Sequence, residues 1–336
     1  MSETVFIVTG AAGHLGSHVV KELLEQDKEV RALVLPNESC PDFIDANRHL
    51  LKEYAGNVCI PETIEPLFDS NGVKEFVVIH CAGIVTIDSK KNKKVYDVNV
   101  GGTANIIAAC ERHSVKRLIY ISSVHAIPLL PHGQIMSEIS CFSPDTVIGY
   151  YGKTKAIATQ LVLDAVKRGL DAVVIHPTGI IGPHSLPTGN MAQAIQLYLS
   201  NRLPAAIRGG FDFVDVRDVA GGIIAAADKG RSGECYILSN IYVEIEELFN
   251  ILSEVSGQKK LKFYLPVWAA KAAALFAEMY YQCARKTPVF TLYSLHTLSE
   301  NSLYSHDKAS RELGYNTRLL KETLTDIVSW TRSKGA

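Results

Sequence analysis

The chain has 336 residues, 47% hydrophobic and 21% charged, which is enough apolar material for a large buried core. Its 34 Lys and Arg against 35 Asp and Glu leave a net charge of −1, so no global field draws it to nucleic acid or to an anionic membrane. Seven cysteines, an odd number without C-x-x-C spacing, argue against a disulfide framework or a zinc site and lead us to expect no metal and a reducing cytoplasm. The first apolar strand begins by residue 4, so no secretory leader is expected.

The first element is an apolar strand, Val5–Val8, that runs through Thr9 into Gly10-Ala11-Ala12-Gly13-His14-Leu15-Gly16 and then into a predicted helix, Leu15–Gln26. Strand, glycine turn and helix in that order hold a dinucleotide pyrophosphate. Gly10 permits the tight turn, Gly13 lets the backbone approach the phosphates, and Gly16 lets the helix pack on its strand, with unpaired helix N–H groups aimed at the anion. A second strand, Val30–Leu35, completes the unit. Apolar runs then alternate with helical patterns: helix Pro61–Asp69, strand Phe76–His80, helix Lys94–Arg112, strand Arg117–Ser122, helix Gly149–Arg168, strand Ala172–His176, helix Val216–Lys229 and strand Glu234–Leu238. Strands apolar throughout, separated by helices, predict an α/β fold with a doubly wound parallel Rossmann sheet.

After His176 the rhythm breaks into a glycine- and proline-rich stretch over residues 178–210. We therefore expect residues 1–177 with 214–238 to form the dinucleotide-binding domain, 178–213 with 239–305 a smaller α+β substrate domain, and 306–336 helices packing back on the core. The apolar stretch Val267–Tyr281 is too short to span a bilayer, and Lys271 and Glu278 interrupt it. It reads first as an amphipathic helix covering the substrate and second as a helix weakly associated with a membrane surface.

Tyr151 and Lys155 stand at i and i+4 near the start of a predicted helix, so an ammonium faces a phenol and favours its ionised form. Composition alone would produce about one such spacing in a chain like this, and Tyr304/Lys308 is a second. Only Tyr151 follows an apolar strand whose C-terminal end carries two hydroxyls, Ser122-Ser123, where open α/β sheets bind ligands. Gly152-Lys153-Thr154 lacks the earlier glycine of a phosphate-binding P-loop, and neither G-x-S-x-G nor H-E-x-x-H occurs.

The glycine turn, His80-Cys81-Ala82-Gly83, Asn99-Val100-Gly101-Gly102-Thr103, Ser122-Ser123, Tyr151/Lys155 and His176-Pro177-Thr178-Gly179-Ile180-Ile181-Gly182-Pro183 resemble, block by block, an extended short-chain dehydrogenase/reductase. The pattern is nearest the dihydroflavonol-reductase-like and 3β-hydroxysteroid-dehydrogenase-like members. The resemblance implies that Ser123 hydrogen-bonds the reacting oxygen, Tyr151 exchanges its proton, and Lys155 lowers the tyrosine pKa while holding the nicotinamide ribose. Asn99 orders a linking water or caps the following helix. For the cofactor it implies contacts from Gly10, Gly13, His14, Leu15, Gly16, Arg31, Asn57, Val58, Cys81, Ala82, Gly83, Ser122, Lys155, Pro177, Gly179 and Ile180. His14 reads equally as a packing residue, and His125 more often as a solvated loop histidine than as a substrate contact.

Three positions depart from the family pattern. Val34 and Leu35 replace the acid or arginine that reads the adenosine ribose, so neither NAD nor NADP has its usual reader and the absent carboxylate slightly favours NADP(H). Asn57 stands where an aspartate commonly meets the adenine, and His176 where an arginine precedes Pro177. The segment 207–220 lacks the arginine with which nucleotide-sugar enzymes bind the substrate pyrophosphate. Phe263, Tyr264, Trp268, Phe276, Tyr280, Tyr281, Phe290 and Tyr293 offer an apolar cover. The expected function is NAD(P)-dependent oxidoreduction of a ketone, aldehyde or secondary alcohol on a small, largely apolar molecule. A sugar epimerase or dehydratase is the alternative, and a non-catalytic dinucleotide-sensing regulator the second. A homodimer is expected through Lys94–Arg112 (Ile106, Ile107, Cys110) and Gly149–Arg168 (Ile157, Leu161, Ala165).

Overall fold

A computed structural model describes residues 4–70, 72–73, 75–86, 90–185, 190–270 and 292–334. Its main sheet is built from β1 (Thr4–Thr9), β2 (Glu29–Val34), β3 (Leu51–Ala55), β4 (Glu75–His80), β5 (Arg117–Ile121), β6 (Ala172–Pro177) and a last strand, Cys235–Leu238. The order is last strand, β6, β5, β4, β1, β2, β3, and every pairing is parallel. Successive residues of the central strands enter cores on opposite sides of the sheet: Val5, Ile7, Val78 and Leu118 on one, Val8, Ile79, Ile119 and Ile175 on the other. Coverage on both faces is why these strands read as unbroken apolar runs. The register sets Thr9 beside His80 and His80 beside Tyr120, so the strands' C-terminal ends form one edge.

Sequence periodicity missed β3, an edge strand whose Lys52 and Glu53 are exposed. The helix expected over 61–69 is two short 3₁₀ turns, Pro61–Thr63 and Glu65–Phe68, because Pro66 has no N–H to continue an α-helix. The helix expected over 94–112 is present in three pieces: α2 follows α1 (His14–Glu25) as Lys93–Tyr96, a π-helical segment spans Asp97–Gly102, and α3 is Thr103–Arg112. Next come α4 (Tyr150–Lys167), α5 (Asn190–Leu199), α6 (Val216–Lys229) and α7 (Ile245–Ser256).

A second, smaller sheet combines β7 (Gly179–Ile181) with Gly210–Asp215 and Ile241–Glu244, and Ala206–Ile207 pairs with Tyr264–Leu265. Around it a separate core gathers Ile195, Tyr198, Phe249, Leu252 and, from helix Leu320–Lys334, Leu324 and Ile327. The shorter helix Asp307–Leu313 instead packs Ala309 and Leu313 on the main sheet's core. Ile106, Ile107, Cys110 and Ala165, expected at a dimer interface, are already buried in their own protomer's core, and only Ile157 and Leu161 are half-exposed. No helix among the described residues is long and apolar enough to cross a membrane. The apolar stretch Val267–Tyr281 lies outside the described residues from 271 onward.

Candidate active site

The glycine turn has the shape its sequence predicts. Gly10 has φ +67°, and a Cβ there would lie 2.8 Å from the Ala82 backbone; a Cβ on Gly16 would lie 2.1 Å from the Gly10 carbonyl oxygen. A Cβ on Gly13 would meet just that same oxygen, at 3.2 Å, so its other side is open. No side chain caps the N-terminus of α1 at Gly13, leaving the first-turn N–H groups of His14, Leu15 and Gly16 for an anion. The glycine cradle and bare helix end fit a dinucleotide pyrophosphate.

His14 points elsewhere. Its Nε2 donates to the Pro183 carbonyl at 3.0 Å, as does His18 at 3.3 Å, so both imidazoles tie α1 to the loop after β7, and burial holds both pKa values down, His18 to about 3. Arg31, expected at the cofactor, is occupied within the fold. It is buried at mid-strand, donates to the Leu67 and Asp69 carbonyls at 2.7 Å each, and lies over the Phe76 ring, so its guanidinium reads no ribose phosphate. Asn57 Oδ1 accepts from Cys59 N–H at 2.9 Å in a local turn, while Val58 is buried and its carbonyl accepts from Asn105. Val34 is buried, which leaves Leu35, 47% exposed, as the side chain beyond the end of β2.

A chain of bonds that sequence reading did not anticipate fixes the next strand end. Ala82 N–H donates to Thr9 Oγ1 at 3.2 Å, the Thr9 hydroxyl donates to His80 Nδ1 at 2.7 Å, His80 Nε2 donates to Thr103 Oγ1 at 3.2 Å, and Thr103 donates to the Asn99 carbonyl at 2.7 Å. These directions require neutral His80, and burial together with the charge of Lys155 pushes its pKa down to about 3. Asn99 caps no helix; that is done by Asn92, for α2. Instead its amide accepts from Ile84 N–H at 2.8 Å and donates to the Ile84 carbonyl at 3.0 Å and to Thr154 at 3.1 Å, clamping the loop Cys81–Ile84 to α4. The π-helical turn carries Asn99 into this position.

At the end of β5, Ser122 and Ser123 part ways. Ser122 pairs with Thr159 at 2.7 Å, and Thr159 donates to the Lys155 carbonyl, so Ser122 fixes α4 to the sheet. Ser123 hydrogen-bonds the Tyr151 phenol, and its Oγ accepts from His125 N–H at 3.2 Å. His176 donates from Nδ1 to the Ser123 carbonyl at 2.9 Å, stacked on Phe142, with its Nε2 buried and unpartnered. Lys155 Nζ donates to the Ile121 carbonyl at 2.7 Å and lies over Tyr120; a Cβ on Gly83 would sit 3.3 Å from it, so the glycine leaves the buried ammonium room on that side. Burial lowers the Lys155 pKa to about 8 and raises that of Tyr151 to about 12, with the Ser123 bond pulling the phenol back. The expected lowering of Tyr151 by Lys155 is thus absent here: the ammonium rests on a backbone carbonyl and desolvation dominates the phenol.

From the smaller sheet, Thr178 donates to Asp212 at 2.6 Å, holding Pro177, Gly179 and Ile180 beside the main sheet's edge; a Cβ on Gly179 would lie 2.9 Å from Phe211. His125 packs edge-on against Tyr151 (5.9 Å between centroids) and stacks on Phe211 (5.8 Å), so it is no solvated loop residue; burial lowers its pKa to about 4. Beyond it opens a cavity of about 140 Å³ lined by Ile127, Leu129, Val147, Ile148, Phe211 and Tyr304, among others, with His296 and Glu300 in contact (2.7 Å) on its wall. Neither this cavity nor a larger one of about 580 Å³, between α5 and helix Leu320–Lys334, is lined by Ser123, Tyr151 or Lys155, but the smaller one reaches Tyr151 through His125. Lys308 serves Glu234 and the Cys235 carbonyl rather than Tyr304. Among the described residues no cluster of His, Cys, Asp or Glu is arranged to hold a metal.

A model of the NAD dependent epimerase/dehydratase family matches residues 6–241. The chain belongs to that family. As a member it is an NAD(P)-dependent oxidoreductase. It is 29% identical to a putative dihydroflavonol 4-reductase of Synechocystis sp. over 98% of this chain and 95% of that one. It is 28% identical to sterol demethylase protein B of Methylococcus capsulatus over 98% of each. The crystal structure of gox2253 superposes with a TM-score of 0.81 at 30% identity, covering 98% of each chain.

Proposed function

We propose that this protein transfers a hydride between a nicotinamide dinucleotide and a ketone, aldehyde or secondary alcohol carried on a largely apolar molecule. The observation that carries this reading is the cavity beyond His125, whose ring packs edge-on against Tyr151. Six of its thirteen lining residues are aliphatic or aromatic (Ile127, Leu129, Val147, Ile148, Phe211 and Tyr304), the others are polar, and no lysine or arginine is among them, while Glu300 brings an acid to its wall. A nucleotide sugar would place two phosphates against that surface without a cationic partner. The volume suits the reacting end of a substrate rather than the whole of a polycyclic one. The similarity to proteins named for dihydroflavonol reduction and sterol demethylation supports the same class.

In this reading the bound nicotinamide supplies or takes the hydride. Ser123 donates to the reacting oxygen, and Tyr151, protonated at neutral pH, gives its proton to the developing alkoxide during reduction. Lys155 holds the ribose at the Gly83 opening, and with a pKa of about 8 it loses its charge as the pH rises past that value. His14 through Gly16 hold the pyrophosphate through backbone N–H groups. With neither charge at Leu35, discrimination between NAD(H) and NADP(H) is modest, with NADP(H) slightly preferred. The six described cysteines are free thiols, in keeping with a cytoplasmic enzyme. Ile157 and Leu161 on α4 are the residues left for a homodimer interface.

A panel of apolar ketones and alcohols, followed by nicotinamide absorbance with each cofactor, tests the reading. Turnover of apolar carbonyls is expected. Epimerisation of a UDP-sugar with no net absorbance change would replace it with the sugar-epimerase alternative.

A further inference from the structure

The segment Gln258–Trp268 carries two kinds of side chain together on the surface. Lys259, Lys260 and Lys262 are exposed, and beside them Phe263 is 68%, Leu265 44% and Trp268 75% exposed. Large apolar side chains are expected to scatter singly over a surface, and Trp is among the side chains most often buried for most of its area. Here three stand within six residues. Their placement is built by the backbone. Ala206 N–H donates to the Phe263 carbonyl at 3.1 Å and Arg208 N–H to the Leu265 carbonyl at 2.9 Å, which holds this stretch extended, with Phe263 and Leu265 on one face. Half-buried Tyr264 alternates between them.

The charged side chains of the segment itself have one sign. No acidic residue occurs between Glu254 and Trp268, and Glu254 is paired with Lys321 at 2.7 Å. Glu246, exposed at the start of α7, is the acid near Tyr264, and Arg202 and Arg208 are exposed on the neighbouring segment. A net charge of −1 for the whole chain makes this local excess of cations a feature of the patch and not of the protein.

We infer that the patch of Lys259, Lys260, Lys262, Phe263, Leu265 and Trp268 docks the enzyme on an anionic phospholipid bilayer surface. Lysines reach the headgroup phosphates on flexible stems while Trp, Phe and Leu enter the boundary between headgroups and acyl chains, and neither contribution needs a shaped groove. Each lysine near such a surface is worth about 1 kcal/mol, or roughly fivefold in partitioning. The patch is linked to the cavity beyond His125 by a small apolar cluster. Ile207, Leu295 and Ala270 pack together behind it, and helix Leu292–Ser299, which supplies Leu295, also turns His296 and Thr297 into that cavity. Docking there sets the site's entrance close to the phase in which an apolar substrate dissolves. This deepens the apolar-substrate reading and rests on it for its purpose, but the binding itself is measured with neither substrate nor cofactor, so the two stand or fall separately.

The full-length protein is mixed with phosphatidylcholine vesicles, with and without phosphatidylserine, and pelleted. Binding is expected with phosphatidylserine and to weaken as salt is raised. Lys259→Ala/Lys260→Ala/Lys262→Ala should lose up to about a hundredfold in partitioning, and Trp268→Ser should weaken binding at unchanged secondary structure. The chain has two tryptophans, so Trp330→Phe leaves Trp268 as the reporter, and its emission should shift to the blue with anionic vesicles. Equal binding to both lipids, no pelleting with either, or no change in the lysine variant would overturn the inference. So would lipid-free self-association abolished by Trp268→Ser, which would assign the patch to a second copy of the chain.

Discussion

Mild acid should destabilise this protein through its buried neutral histidines. His18 and His80 are held near pKa 3, and His125 and His176 near 4, all by burial that disfavours the imidazolium. Each binds a proton in the unfolded chain at about 6.5 but not in the folded one, so their stabilising contribution is complete above that value and is lost as the pH falls through it toward the folded values. At about pH 5.5 each accounts for about 1.4 kcal/mol. Glu22 and Asp212 act in the opposite sense, because burial raises both to about 6 and they take up protons sooner in the folded state. Together they return somewhat less than about 2 kcal/mol. The net loss between about pH 7.5 and about pH 5.5 is therefore about 4 kcal/mol, a large share of the roughly 5–15 kcal/mol typical of a folded domain. Urea midpoints followed by circular dichroism at the two pH values measure it. His176→Asn keeps an N–H for the Ser123 carbonyl but no titrating ring, and should reduce the loss by about a third. Midpoints that coincide at the two pH values, or an unchanged loss in His176→Asn, would refute the neutral-histidine argument.

Tyr151→Phe should reduce turnover by ~10²–10⁴-fold with cofactor affinity little changed, because the phenol exchanges a proton and does not hold the dinucleotide; Tyr304→Phe, measured beside it, should be nearly silent. Gly13→Val should weaken dinucleotide binding sharply with the fold retained, since the position is open on the cofactor side; unchanged affinity by isothermal titration would remove the turn from the cofactor site. Leu35→Asp should move preference toward NAD(H) and Leu35→Arg toward NADP(H), each by about one to two powers of ten in the ratio of kcat/KM values. Rates in the reductive direction should fall as the pH passes about 8 and Lys155 loses its charge, and a flat profile to pH 10 or so would detach the ammonium from catalysis.

The main sheet was legible because its strands are buried on both faces, and an unbroken apolar run needs no knowledge of its partners to be recognised. Edge strand β3, short and with no fully buried residue, gave no such signal. Gly10, Gly13 and Gly16 were legible for a similar reason: a tight turn and a close approach act within seven residues. Arg31 shows where that locality misleads. A cation on the second strand is a reasonable reader of a ribose phosphate, but its register points it into the core with Leu67 and Phe76, on the side opposite Ala32 and Val34.

What positions the reacting groups is long-range. Thr9 meets His80 across 71 residues, Asn99 meets Thr154 across 55, and His176 meets the Ser123 carbonyl across 53. Each pair consists of a polar side chain at a strand end or helix face that by itself reads as an ordinary cap or a buried hydroxyl. Their function follows from the parallel register, which brings the C-terminal ends of β1, β4, β5 and β6 to one edge, where a side chain from one strand orders the loop after the next. Thr9 therefore orders the loop after β4 through Ala82, although no motif singled it out as Tyr151 and Lys155 were. Its loss would leave a buried backbone donor and the Nδ1 of a neutral histidine unpaired at once, which couples the sheet's stability to the geometry of the site it carries.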